Sequence, residues 1–108
     1  MKRVIKATDD LILKRCNDYI ANIEDTLAYA KEKEADYLKY KKSEDFDEAL
    51  NATNDAFYNL NDYSRYLSKL TNADRLTPQE QEYFTTVYDE LYDEMNSSYE
   101  RFRSLKNK

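Results

Sequence analysis

The sequence predicts an all-α protein, an up-down-up antiparallel three-helix bundle with long helices, forming a single helical domain over 1–108. Three observations predict it. Apolar residues recur at alternating steps of three and four in three separate stretches, the spacing of a bundle seam. Gly is 0 and Pro is 1, so almost nothing interrupts a helix. Residues that start helices stand ahead of the second and third stretches.

Helix 1 is predicted over about 9–42. Thr8 or Asp9 opens it, and Asp9 and Asp10 suit the positive end of the helix dipole. Its seam reads Leu13, Cys16, Ile20, Ile23, Leu27 and Ala30. The next seam position is Glu34, which fits a dry core poorly, so the last turns are expected to overhang or kink. Residues 1–7 read as a tail.

Helix 2 is predicted over about 44–70, with Ser43 as its cap and Glu44 and Asp45 in its first turn. Its seam is Phe46, Leu50, Thr53, Phe57, Leu60, Ser64 and Leu67, widened by Ala49, Ala56 and Leu70. Residues 71–76 have no seam and read as a loop. Thr77-Pro78-Gln79-Glu80 is the strongest local signal: a capping Thr, a Pro in the first helical position and a Glu that closes a capping box. Helix 3 follows over about 78–106, with seam Phe84, Tyr88, Leu91, Met95, Ser98, Phe102 and Leu105. The alternative architecture is a helical hairpin that completes its core as a dimer. The length is similar to that of a spectrin-like repeat, although the chain has no Trp to bury.

Composition narrows the chemistry. With no Gly there is no P-loop, dinucleotide fingerprint or standard calcium loop. With no His there is no Ser-His-Asp or Cys-His machinery and no His-ligated metal. The one Cys, Cys16, lies on the helix 1 seam and reads as a buried structural thiol. The acidic pairs Glu44/Asp47, Asp45/Glu48 and Glu90/Asp93 sit at metal-ligand spacing, but point away from the seams and do not converge. The expectation is a protein that is not an enzyme and has no cofactor. No apolar run is long enough for a membrane span and no signal peptide is read, so the expected location is the cytoplasm. The sequons at Asn51 and Asn96 then carry no meaning. The Asn, Lys and Tyr bias fits AT-rich coding, as in low-GC bacteria or their phages.

Charge is uneven. Residues 44–100 hold 14 acids and 3 bases, a net −11, while residues 101–108 hold four bases and no acid. Antiparallel packing lets Glu44, Asp45, Asp47 and Glu48 face Arg101 and Arg103. Residues 80–94 have no such explanation, since they hold Glu80, Glu82, Asp89, Glu90, Asp93 and Glu94 and no base. The pairs Asp89/Asp93 and Glu90/Glu94 repel at i,i+4. Their axial spacing is near that of phosphates along one DNA strand.

Eleven Tyr complete the picture. On a helical wheel Tyr88 falls in the core. Tyr19, Tyr37, Tyr63, Tyr83, Tyr92 and Tyr99 fall on the flanks, and Tyr29, Tyr40, Tyr58 and Tyr66 point outward. Outward Tyr suits an interface, because it brings large area with little side-chain freedom to lose.

The expected function is a small acidic protein-binding module that sets an acidic, Tyr-bearing helical face against a basic, nucleic-acid-binding surface of another protein. The candidate partner-binding residues are Glu82, Asp89, Glu90, Tyr92, Asp93, Tyr58 and Tyr66. Small acidic phage proteins directed against host defence resemble this type. A pI near 4.8 argues against direct nucleic acid binding. No membrane partner is expected, and a homodimer is possible. The alternative is a helical chaperone, adaptor or immunity-type partner acting through an apolar seam. Tyr58 and Asp62 match the Tyr-x-x-x-Asp pattern of small helical type VII secretion substrates, but the Trp-x-Gly turn that accompanies it there is absent.

Overall fold

The periodic stretches become three helices: α1 (Lys6–Tyr40), α2 (Ser43–Asn72) and α3 (Pro78–Lys106). The structure, a computed structural model, describes residues 6–106. The helices lie side by side in a rod of 58 × 19 × 17 Å. All three pack on one another, so the core closes within one chain rather than as a hairpin dimer. Of the expected tail, residues 1–5 and their bases Lys2 and Arg3 lie outside the described residues, as does Lys108. Residues 6 and 7 already belong to α1, so neither Thr8 nor Asp9 begins it.

The α1 seam lies where its spacing puts it. Cys16, Ile20, Ile23, Leu27 and Ala30 are buried, and Ile12 joins them while Leu13 is half-buried. In α3, Phe84, Leu91, Met95, Ser98 and Phe102 are buried.

The buried face of α2 is turned from the expected one. Ala49, Ala52, Thr53, Ala56, Leu60, Tyr63 and Leu70 are buried, while Leu50, Ser64 and Leu67 are half-buried. Phe57, expected on the seam, is 37% exposed. The helix has rotated its small residues toward α1, which packs on it more extensively than α3 does. Ala at the contact lets two helix axes approach closely. Two Tyr also differ from the expected placement. Tyr63, expected on a flank, is fully buried and donates its hydroxyl to the Phe84 carbonyl at 3.0 Å. Tyr88, expected in the core, is half-buried at its edge.

The expected overhang of α1 does not occur. Glu34 is only 7% exposed, and its carboxylate accepts two hydrogen bonds from Arg101, at 2.7 and 2.9 Å. Arg101 also donates to Ser98 Oγ at 3.1 Å. The carboxylate holds the guanidinium above its usual pKa, chiefly through those hydrogen bonds. Beyond Glu34 the core continues as rings: Tyr37 on Phe46 at 5.3 Å, and Phe46 edge-on to Phe102 at 5.7 Å. Arg101 therefore reaches across to α1 instead of the acids at the start of α2, and Glu48 pairs with Lys33.

The two turns differ in kind. Helix α2 ends in a Schellman motif: Asp74 takes the left-handed conformation at φ 56, Asp74 N–H donates to Thr71 O and Arg75 N–H to Leu70 O. Leu76, expected only as loop, is buried in the core. The capping box then forms as expected, with Thr77 N–H on Glu80 and Glu80 N–H on Thr77 Oγ1. Helix α1 ends more simply, on Lys41 at φ 58, whose N–H donates to Tyr37 O. Ser43 is not the cap of α2. Lys42 holds that place, without a side-chain hydrogen bond to the helix.

Candidate functional site

The α3 core residues place its acids by arithmetic. At 100° per residue, Glu82, Asp89 and Asp93 lie on the side opposite Phe84, Leu91 and Met95. All three are exposed, and so is Glu90 on the neighbouring flank. None of these four carboxylates pairs with a Lys or Arg among the described residues. Glu94 differs from them, because Lys31 of α1 lies 3.2 Å from its carboxylate. The acidic stretch thus contains one residue that belongs to the α1–α3 seam and one, Glu80, held in the capping box, with the other four turned to solvent.

The other flank of α3 meets α2, and there the surface is aromatic. Tyr92 is 41% exposed and stacks on Tyr88, their centroids 6.0 Å apart and their planes 20° from parallel. Tyr99 donates its hydroxyl to Asn54 across the groove. Burial, and secondarily Tyr58, pushes the Tyr99 phenol up. Tyr58 is 65% exposed, the most open of the large aromatic side chains, with its ring against the edge of Phe57 at 5.7 Å. The Asn54–Tyr99 bond fixes the register of the antiparallel pair. Counting from it, Tyr58 stands within about 5 Å of Tyr92 along the rod axis.

Tyr66 is corrected. It is half-buried, packs against the core and lies 5.7 Å from the Tyr19 ring on α1. Burial raises its phenol as well. Rotation of α2 carries this residue into the α1–α2 groove, away from Tyr58 and Tyr92. Of the seven candidates, Glu82, Asp89 and Asp93 lie on the outer side of α3, Tyr92 on its α2 flank and Tyr58 on the adjoining edge of α2, while Glu90 lies on the opposite flank of α3, beside Glu94. Phe57, beside Tyr58, is an exposed aromatic that the sequence assigned to the core. Its signal was the row of Ala at 49, 52 and 56, which marks the closer contact face.

Other features are structural. Cys16 is fully buried, and burial, with Glu80 adding, pushes its thiol up to about 11. Such a thiol is far from the thiolate a nucleophile needs. Among the described residues no group of three or more Asp, Glu, Cys or His side chains is placed to hold a metal ion. No described helix is long and apolar enough to cross a membrane. A shallow groove of about 450 Å³ runs between α1 and α2, past Asp25, Tyr29, Glu48, Asn51 and Asp55. Lys33 lies at this groove, 5.6 Å from the Tyr29 ring centroid and 3.5 Å from Glu48, which raises its pKa.

No family is shown. Compared with known protein families, curated proteins and solved structures, the chain matches none.

Proposed function

We propose that the chain is a non-enzymatic protein-binding module, whose α2–α3 face occupies a basic, nucleic-acid-binding surface of a partner protein. One observation carries this reading. Three exposed aromatic rings, Phe57, Tyr58 and Tyr92, stand on the flank of an outer α3 side that carries Glu82, Asp89 and Asp93, carboxylates with no counter-ion among the described residues. Aromatic side chains supply binding area, and free carboxylates supply long-range attraction to a cationic surface. Such a module acts in a nucleic-acid-containing compartment such as the cytoplasm, as small acidic phage inhibitors of host proteins do. The alternative, an adaptor docking through an apolar seam, is less well supported, because the seam side chains fill the chain's own core.

The test uses the tagged chain and a variant carrying Asp89→Asn, Glu90→Gln and Asp93→Asn. Glu94 is left alone because it pairs with Lys31. Both are exposed to nuclease-treated lysate of a low-GC bacterium and eluted with a salt ramp. The expected result is a basic nucleic-acid-binding protein, released at moderate salt and lost with the variant. Its purified form loses nucleic acid binding when the wild-type chain is added. The variant should fold at least as stably, since the Asp89/Asp93 repulsion, worth about 0.2–0.5 kcal/mol, is relieved. Equal recovery by both proteins at low and high salt refutes the reading.

A further inference from the structure

The two turns of the bundle are built unequally, and the difference points to a second copy of this chain as a partner. The α2–α3 turn is locked. Pro78 cannot enter a helix interior, so α2 and α3 cannot merge into one helix. The Schellman motif and the Thr77/Glu80 box hold its two sides.

The α1–α2 turn has none of these stops. Only Lys41 and Lys42 lie between the helices. Residues 36–48 contain no Gly and no Pro, and Leu38, Lys39, Lys41, Lys42 and Glu44 all favour helix. No side chain caps the start of α2. The chain reverses there through a left-handed Lys, a conformation that its Cβ disfavours. A short, strained hinge between good helix formers is the condition under which identical elements exchange between copies.

We infer that two copies exchange α1 by straightening the Lys41–Lys42 turn. Residues 6–72 of each copy then form one helix of about 100 Å. The two long helices run antiparallel, and α1 of each lies on α2 and α3 of the other in the register it has in the monomer. Each half keeps the three-helix core, and the exchange releases two left-handed Lys conformations. Glu34 of one copy meets Arg101 of the other. Since Tyr58, Tyr92 and the free acids of α3 lie outside the α1 contact, the proposal does not depend on what that face binds.

The Glu34–Arg101 pair supplies the test. Glu34→Arg alone sets two guanidinium groups together in the monomer, and Arg101→Glu alone sets two carboxylates together. In an exchanged dimer of one with the other, both contacts join opposite charges. The two variants, separately tagged, are unfolded in urea, mixed and refolded at high concentration, then sized with light scattering. The expected product is a one-to-one dimer carrying both tags, at least tenfold more abundant than the dimer of either variant alone. The chain carrying both substitutions should behave as wild type. A mixture that remains monomeric overturns the proposal, and so does a dimer indifferent to the charge combination. Should either variant fail to fold, the wild type decides. After refolding over a concentration series it forms dimer, and Lys41→Gly lowers the dimerisation constant about a hundredfold, tenfold for each of two relieved turns. An unchanged constant in Lys41→Gly, or a wild type that stays monomeric, also overturns it.

Discussion

Replacing Arg101 with Met should destabilise the protein far more than replacing its partner Glu34 with Met. The asymmetry follows from burial. The Glu34 side chain is 9% exposed and that of Arg101 43%. Without Arg101 a carboxylate is left in the bundle with neither of its two hydrogen bonds. Breaking a fully buried pair this way costs about 3–5 kcal/mol. Arg101 is at the surface, so water enters the space it leaves, and the expected loss is about 2 kcal/mol. Removing Glu34 instead leaves a guanidinium that turns to solvent and puts an apolar side chain at a buried position, so the loss is about 0–1 kcal/mol. The double substitution should recover most of what Arg101→Met loses. Urea unfolding followed by helix dichroism reads these differences. With a slope of about 1–2 kcal/mol per molar, Arg101→Met lowers the midpoint by about 1–2 M. Equal losses for the two single variants would refute the account of Glu34 as a desolvated charge held by one partner.

Two further outcomes follow from the core. The Cys16 thiol, raised by burial from 9.0 to about 11, keeps its proton in the folded chain after the unfolded chain has lost it, so stability should fall as pH rises from 9 to 11. The Cys16 share of the drop is about 1.4 kcal/mol per pH unit at most. Cys16→Ala should remove that share and leave the one due to Tyr63, Tyr66 and Tyr99, whose phenols burial also raises, and a thiol reagent at pH 8 should label the wild type only in denaturant. Tyr63→Phe should cost about 1 kcal/mol in urea unfolding, for the lost bond to the Phe84 carbonyl, whereas Tyr63→Ala should cost about 3–5 kcal/mol. Similar losses for both would mean that the ring contributes little to packing.

Local signals were the legible ones. The Thr77/Glu80 box and Pro78 are explained by residues within one turn, and the structure places them as the sequence implies. The α1 and α3 seams were legible because large apolar residues mark them. The face of α2 is less legible, because Ala49 and Ala56, which the spacing puts only at the margin of the seam, form its centre together with Ala52, and small size rather than large makes the close contact. The one rotation of α2 accounts for Phe57, Tyr63 and Tyr66 together. Glu34 broke the pattern of its helix, and only a partner 67 residues away makes it a core residue. The acids of the candidate face were visible as a run without bases. That Glu94 is tied to Lys31 and the others are not depends on which flank of α3 meets α1.

An odd number of antiparallel helices has a mechanical consequence. Helix α1 starts at one end of the 58 Å rod, and α3 finishes at the other. Tension applied through the chain on either side therefore runs along the long axis and loads the helices in shear. Many side-chain layers then resist together, instead of parting one at a time as in a hairpin pulled open from one end. The Glu34–Arg101 and Lys31–Glu94 bridges join the first helix to the last and lie across that sliding direction. The bundle has the geometry of a strut, holding whatever is joined to Lys6 and Lys106 a rod's length apart.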